Sequence, residues 1–456
     1  MARVAGVDSS TQSVKIVVRD SESGALLAQA SHPHPDGTEV DPQRWLEALY
    51  AVIAEVGGLE SLDAISIGGQ QHGMVLLDGI GEVIRPALLW NDTRSAAQAA
   101  AINAAFPDIH HRTGSQLVAS FTASKVRWVL ENEPENAARI AAIALPHDWL
   151  SWKLSGSTDI QEIFTDRSDA SGTGYFDSVN NRYISEILQW ITGKTDVVLP
   201  RIVAPGEVGA RVGKTVIACG AGDNAGAALG IGAVVGDLVI SLGTSGTVFA
   251  VSASPSHDQS GEVAGFADAT GNFLPLACTL NAAKVFDATA KLLGVSFDEF
   301  SQLALQAAPG ADGLMAAPHF DGERTPNRPD ARGSLTGITH ANFTPANLAR
   351  ASIEGVIAGL AYATEALRRE GVEISRLLLV GGAARNKAVQ EITSEIFSLP
   401  VHIPTPGEYV SEGAAIQAAW ALTSQRPLWS QNEMSLTHAQ PQPSVLSRYL
   451  TLISSI

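Results

Sequence analysis

Apolar positions recur along this chain in two rhythms. Residues 3–8 (RVAGVD), 14–19 (VKIVVR) and 25–31 are short apolar runs broken by small polar residues, which predicts three strands joined by tight turns. From 42 to 56 the spacing becomes helical, with Asp41 at the N-cap and Pro42 in the first turn. Residues 64–68 (AISIG) return to a strand. The C-terminal half repeats the alternation. Thr344 and Pro345 open a predicted helix whose apolar face carries Leu348, Ile353, Val356, Ile357, Leu360 and Leu367, and which ends before Gly371. A strand at 376–380 (RLLLV), a Gly381-Gly382 turn, a helix at 386–397 and a last helix at about 411–422 follow.

Strand and helix alternating in this way predict an α/β fold. The order of three strands, a helix and a strand is that of a ribonuclease-H-like unit. A second unit begins alike: residues 236–251 (GDLVISLGTSGTVFAV) form an apolar run, a Gly/Ser/Thr turn and another apolar run. Shifting the N-terminus by 233 positions lays Ser10-Thr11-Gln12-Ser13 over Gly243-Thr244-Ser245-Gly246. A repeat near half the chain length points to duplication. We therefore expect two ribonuclease-H-like domains with a cleft between them, residues 1–234 and 235–456, divided near Gly232–Gly236. The polar tail, 424–446, is given no role.

Composition narrows the function. A chain of 456 residues that is 45% hydrophobic suits two or three domains. The net charge of −17, without a basic run longer than two residues, argues against nucleic acid and anionic membranes as partners. No stretch approaches 18 uninterrupted apolar residues. Two cysteines, Cys219 and Cys278, make neither a disulfide framework nor a metal motif, and are expected to be buried thiols in a reducing, cytoplasmic setting. There is no GxGxxG fingerprint, no GxxxxGK[ST] loop, no HExxH and no GxSxG elbow.

Several small-residue turns remain. Asp8 closes a strand just before Ser9-Ser10-Thr11-Gln12-Ser13 and Lys15. Successive N–H groups in such a turn form a nest for phosphate oxygens, and a nearby carboxylate suits the water shell of Mg²⁺; a plain hairpin with Asp as turn former is the alternative. Leu242-Gly243-Thr244-Ser245-Gly246 admits the same two readings, and two such turns across a cleft would grip a polyphosphate. In 379–386 (LVGGAARN) a glycine pair between strand and helix lets backbone approach a flat ligand. Asp223, set in Gly220-Ala221-Gly222-Asp223-Asn224-Ala225-Gly226, has room for a substrate hydroxyl and could accept its proton, or serve as a helix N-cap, or both. Gly69-Gln70-Gln71-His72-Gly73-Met74 and Trp90-Asn91-Asp92-Thr93-Arg94 offer polar groups and an aromatic wall for a polyhydroxylated ligand, although His72 alone reads as readily as a structural histidine.

Taken in order, these pieces resemble the FGGY family of carbohydrate kinases. The resemblance runs from the N-terminus to about residue 425 through GVDSSTQSVK (6–15), GQQHGM (69–74), LLWNDTR (88–94), SFTASKVRWVLEN (120–132), HDWLSWKLSG (147–156), GAGDNAGAALGIG (220–232), SLGTSGTVF (241–249), GERTPNRPDARGSLTGIT (322–339), ASIEGV (351–356) and LLVGGAARN (378–386). It implies two actin-like ATPase domains that close on ATP, Mg²⁺ and a sugar. The expected reaction is phosphorylation of D-xylulose at O5, with the same chemistry on ribulose, ribitol or xylitol as the alternative. Matched position by position, Asp223 becomes the catalytic base and Asp8 the residue serving Mg²⁺. Thr11, Lys15, Gly243, Thr244, Gly382 and Asn386 fall on the ATP side; Gln71, His72, Trp90, Asp92 and Asn224 fall on the sugar side. Two positions depart from the pattern: Ser10 stands where the first turn usually has Gly, and Gln71 where the xylulose-phosphorylating members usually have Met. Gln-His-Gly also differs from the Arg-Glu pair of glycerol-specific members. Members are often dimers, so a homodimer is among the expectations. An actin- or chaperone-like switch without a small-molecule substrate is the rival from another class; Asp223 among its small residues and the Gln71-His72 and Trp90–Asp92 groups argue against that.

Overall fold

A computed structural model describes residues 2–429 and 434–455; Met1, Ile456 and residues 430–433, within the tail that was given no role, lie outside the described residues. The first three predicted strands form as Arg3–Ser9, Ser13–Asp20 and Leu26–Pro33. Asp41 caps the helix Pro42–Glu55 by accepting from the Gln43 N–H at 3.0 Å, and that helix buries Trp45, Leu49, Val52 and Ile53. Each such side chain contributes roughly 1.5–3 kcal/mol when fully withdrawn from water.

Two seven-stranded mixed sheets carry the molecule. In the first, Leu26–Pro33, Ser13–Asp20 and Arg3–Ser9 are antiparallel neighbours, after which Ala64–Gly69 and Thr215–Ala218 join in parallel. In the second, Phe273–Thr279, Gly246–Ala250 and Asp237–Leu242 are antiparallel, and Arg376–Val380 and Val401–Pro404 join in parallel. The order repeats, as duplication of a ribonuclease-H-like unit requires. The turns differ, however. Ser9 faces Val14 across residues 10–13, whereas Leu242 faces Gly246 across residues 243–245. A constant shift of 233 positions therefore slips by one residue within the hairpin.

The last predicted helix forms as Tyr409–Thr423, yet it lies on the first sheet rather than the second. Glycines permit this crossing. A Cβ on Gly6 would lie 1.9 Å from the Ser411 carbonyl oxygen, one on Gly230 2.0 Å from that of Tyr409, and one on Gly413 1.9 Å from that of Gly226. Gln417 pins the crossing, accepting from Ser66 at 3.0 Å and donating to the Gly220 carbonyl at 2.7 Å. The polar tail supplies the edge strand Met434–Thr437, paired with Val401–Pro404, and leads into the helix Pro443–Ser455, which buries Val445, Tyr449 and Leu452. Among the described residues no helix is long and apolar enough to cross a membrane.

Candidate active site

The cleft holds two principal cavities that share Asn224 and Ser241. The inner one, about 320 Å³, is lined by Gln71, His72, Trp90, Asp223 and Asn224 on one side and by Ser245, Gly246, Thr247, Phe266 and Arg324 on the other. The outer one, about 470 Å³, includes Asp8, Lys15, Gly381, Gly382, Arg385 and Glu408. A smaller space of about 260 Å³ meets it at Gly382 and is lined by Gly243, Thr244, Asp287 and Phe297.

Asp223 is the first residue of the helix Asp223–Ile231, with Gly222 at the cap, so it is not the N-cap itself. Its Oδ1 accepts from the Asn224 backbone N–H at 2.7 Å and from Asn224 Nδ2 at 2.9 Å. Burial pushes its carboxyl up to about 6, against the Asn224 backbone hydrogen bond and with the Asp8 charge adding to the rise. Asp8 is also raised to about 6, by burial first; the Ser10 hydroxyl, which donates to it at 2.9 Å, and the Lys15 charge pull the other way. One carboxylate oxygen of Asp8 is thus engaged by Ser10 in a cavity that Asn224, Ser241 and Glu408 also line, oxygen donors of the kind that suit a hydrated divalent cation.

His72 has φ 68, a region that residues other than glycine seldom occupy. Its carbonyl accepts from Thr122 Oγ1 at 3.1 Å and Lys125 Nζ at 3.0 Å, and its ring Nδ1–H donates to the Gly172 carbonyl at 2.6 Å. Both partners of the carbonyl come from the helix Thr122–Asn132. Phe121 and Phe266 enclose the ring at 4.8 and 5.5 Å. Burial, with the Lys125 charge second, drives its pKa down to about 3, so the imidazole is neutral with Nε2 as an acceptor. Gln71 donates through Nε2 to the Ser168 carbonyl at 2.9 Å. Trp90 donates its indole N–H to Thr11 Oγ1 at 2.9 Å.

Not every expected residue reaches a cavity through its side chain. The Thr11 hydroxyl is committed to Trp90 and, at 3.4 Å, to Gln70, so any nucleotide contact would fall to its backbone. Asp92 is buried, accepting from Thr38 Oγ1 at 2.9 Å and from the Arg94 N–H and Nε at 3.0 and 2.9 Å. Asn386 caps the helix Lys387–Phe397, its Oδ1 accepting from Ser301 at 2.8 Å and the Val389 N–H at 3.2 Å. Lys15 is paired with Glu408 at 2.6 Å. Cys219 is buried as expected, but Cys278 is half-buried and lines the inner cavity.

Residues that sequence reasoning left without a role also converge here. Arg324, from the GERTP segment, enters the inner cavity because Glu323 fixes its backbone: the Glu323 carboxylate accepts from the N–H groups of Leu280 and Arg324 and from Asn281 Nδ2. Behind Gln71 lies Asp166–Ser171, whose Asp169 pairs with His147; His147 also faces Asp148 at 3.3 Å. Burial lowers the His147 pKa, but the two carboxylates outweigh it and keep the imidazole protonated well above its usual range. Those three side chains offer ligand atoms within 4.8 Å of one another, yet each imidazole nitrogen already faces a carboxylate, so they form an ion triad and not a metal cage. The dense run of small polar residues at 165–174 (TDRSDASGTG) was the available signal.

Family models decide the classification. Residues 3–234 match the N-terminal domain, and residues 238–422 the C-terminal domain, of the FGGY family of carbohydrate kinases. The chain belongs to the FGGY family of carbohydrate kinases. Among relatives of this FGGY kinase, xylulose kinase of Streptomyces rubiginosus is 43% identical over 442 residues, covering 93% of this chain and 89% of the relative. Xylulose kinase of Escherichia coli is 33% identical over 436 residues, covering 91% and 88%. The crystal structure of xylulose kinase from Bifidobacterium adolescentis superimposes with a TM-score of 0.94 at 42% identity, covering 99% of both chains. The FGGY kinase thus has the two-domain α/β architecture with an interdomain cleft that the sequence predicts.

Proposed function

We propose that this FGGY kinase transfers the γ-phosphoryl group of ATP to O5 of D-xylulose, giving D-xylulose 5-phosphate and ADP. The observation that carries the reading is a half-buried carboxylate, Asp223, in one cavity with the polar groups of Gln71, His72 and Trp90 facing it and the second small-residue turn across from it. The 43% identity to a xylulose kinase supports the choice of sugar.

Asp223 takes the proton of the O5 hydroxyl as the oxygen forms its bond to the γ-phosphorus; the bond from that phosphorus to the bridging oxygen breaks, and ADP leaves with its electrons. His72, neutral and held by Gly172, accepts a sugar hydroxyl through Nε2, and Trp90 walls the sugar. Asn224 spans both cavities and steadies the base. Lys15, Gly243, Thr244 and Gly382 border the polyphosphate path, with Thr11 contributing backbone. In this reading the division falls near Gly232–Gly236, with the sugar site and base before it and the nucleotide site after it. Asp8 would hold Mg²⁺, and the cation would supply positive charge to offset that on the phosphates. Asp92 and Asn386 act by shaping the site. A cytoplasmic enzyme, supplied with ATP and keeping both thiols free, and a homodimer belong to the same proposal; light scattering tests the latter.

A second reading, the same transfer to ribulose, ribitol or xylitol, rests on Gln71 standing where Met is usual. ADP release measured with Mg-ATP against D-xylulose, both ribuloses, xylitol, ribitol and glycerol separates the two by kcat/KM. Asp223→Asn is expected to lower kcat by about 10²–10⁴-fold while ATP binding persists; turnover at the parental rate overturns the base assignment.

A further inference from the structure

The segment Asp166–Ser171 lies outside the residues given a chemical role, yet it touches three parts of the site at once. Ser168 is fully buried. Its Oγ accepts the backbone N–H of Gly222, the residue immediately before Asp223, at 3.1 Å. Its carbonyl accepts Gln71 Nε2–H at 2.9 Å and the Ser171 hydroxyl at 2.6 Å. Ser171 Oγ in turn accepts the N–H of Ala267 at 3.0 Å, across the cleft on the edge strand of the second sheet, next to Phe266 of the inner cavity.

The fit around Ser168 leaves little freedom. A Cβ on Gly222 would lie 2.7 Å from Gln71 Cγ, so the base's neighbour and the sugar-facing glutamine are packed directly on each other. The serine itself is held from below: its N–H donates to Asp166 Oδ2 at 2.7 Å, the Asp169 N–H donates to Asp166 Oδ1 at 3.0 Å, and Asp169 is ion-paired with the buried His147. Arg167 donates to the Asn272 carbonyl and lies 3.7 Å from Asp268, both in the second domain. A buried serine that merely satisfied itself would need one partner. This one joins Gly222 and Gln71, which arrive from separate stretches of chain, to Ser171 of its own segment.

We propose that Ser168 is a positioning residue that sets Asp223 against the sugar, and that Ser171 makes this setting depend on the docked second domain. The proposal rests on the reading of Asp223 as the base. Because the Gln71 contact is to the Ser168 carbonyl, removing the hydroxyl frees Gly222 but spares Gln71. Ser168→Ala should therefore lower kcat by about 10- to 100-fold, the scale at which misplaced catalytic groups act, with the KM values for sugar and ATP each within about twofold of the parent. Ser171→Ala should lower kcat by roughly three- to tenfold, as expected for one lost hydrogen bond. The double variant should be no slower than Ser168→Ala, since members of one chain of contacts do not add.

The test is steady-state kinetics on the full chain for Ser168→Ala, Ser171→Ala, the double variant and Asp223→Asn, with thermal unfolding alongside. A lowered Tm with parental kcat in Ser168→Ala, or single effects that multiply in the double variant, overturns the proposal. Should Ser168→Ala fail to fold, Ser171→Ala alone decides: a fall in kcat at unchanged ATP KM supports the coupling, and parental kcat overturns it. Asp223→Asn keeps the two readings apart. If it turns over normally the base assignment falls; if it is inactive while Ser168→Ala is normal, only the positioning role falls.

Discussion

The two hairpin turns that face the cleft stand on the same strand order but carry opposite chemistry. The first is dense with side-chain contacts: Ser10 donates to Asp8, Thr11 accepts from Trp90, and the His34 ring donates to the Ser10 carbonyl at 2.8 Å. The second is nearly bare. A Cβ on Gly243 would meet only the Ser245 carbonyl oxygen, at 3.6 Å. One turn carries polar side chains bonded to their neighbours, while the other presents backbone. Phosphoryl transfer has a direction, from donor to acceptor, and a symmetric cleft would have none.

The strongest way to break that contrast is to remove the charge from the first turn. Asp8→Asn is expected to lower kcat by about 10²–10³-fold, the range for losing one preorganised electrostatic group. It should also move the pH profile. With Asp223 raised to about 6, activity should climb as pH rises through about 6, because only the ionised carboxylate accepts a proton. The negative charge of Asp8 helps to raise that value, so the residual activity of Asp8→Asn should show its acid limb at lower pH. An unmoved limb, measured as log kcat against pH, would separate Asp8 from the base.

Glycines of the second domain give a smaller effect and a sharper one. Gly381 has φ 96 and a Cβ there would lie 2.5 Å from the Leu242 carbonyl, whereas a Cβ on Gly382 would meet nothing within 4 Å. Gly381→Ala should therefore destabilise the fold by about 1–3 kcal/mol. Gly382→Ala should leave the Tm unchanged and raise only the KM for ATP, since nothing in the protein itself demands glycine there. Equal effects of the two on thermal unfolding would remove the argument that a ligand fills that space.

The smallest expected effect concerns Lys15, the first turn's cation, which Glu408 partly neutralises. The pair is half-exposed and is worth at most about 1 kcal/mol. Glu408→Gln should lower the KM for ATP by about twofold, and Lys15→Ala should raise it. Titrations at low and high salt check the sign, and changes in the same direction would refute the idea that the two charges oppose each other.

Local pattern made much of this legible. The hairpins, the Asp41 and Thr344 caps and the strand Arg376–Val380 follow from spacing and turn chemistry over a few residues. What escaped depends on contacts between distant segments. The crossing of Tyr409–Thr423 onto the first sheet is decided by Gly413 of that helix together with Gly6 and Gly230, which lie far back along the chain. Asp92 looked free for a ligand until Thr38 and Arg94 occupied its oxygens. The family resemblance places Asn386 on the ATP side, although an Asn just before a helix is also an N-cap. The left-handed backbone of His72 needs Thr122 and Lys125, fifty residues on, to hold its carbonyl.

The glycine crossing has a mechanical consequence. Where side chains interlock, one helix moves over another only by climbing ridges. Between Asp223–Ile231 and Tyr409–Thr423 the carbonyls of Gly226 and Tyr409 sit where methyl groups would otherwise stand. Backbone bears on backbone there, with little to climb. The contact lies beside the cleft, because one of its two helices begins at Asp223. A single methyl group at Gly230 or Gly413 would force the two backbones apart and carry that shift toward Asp223.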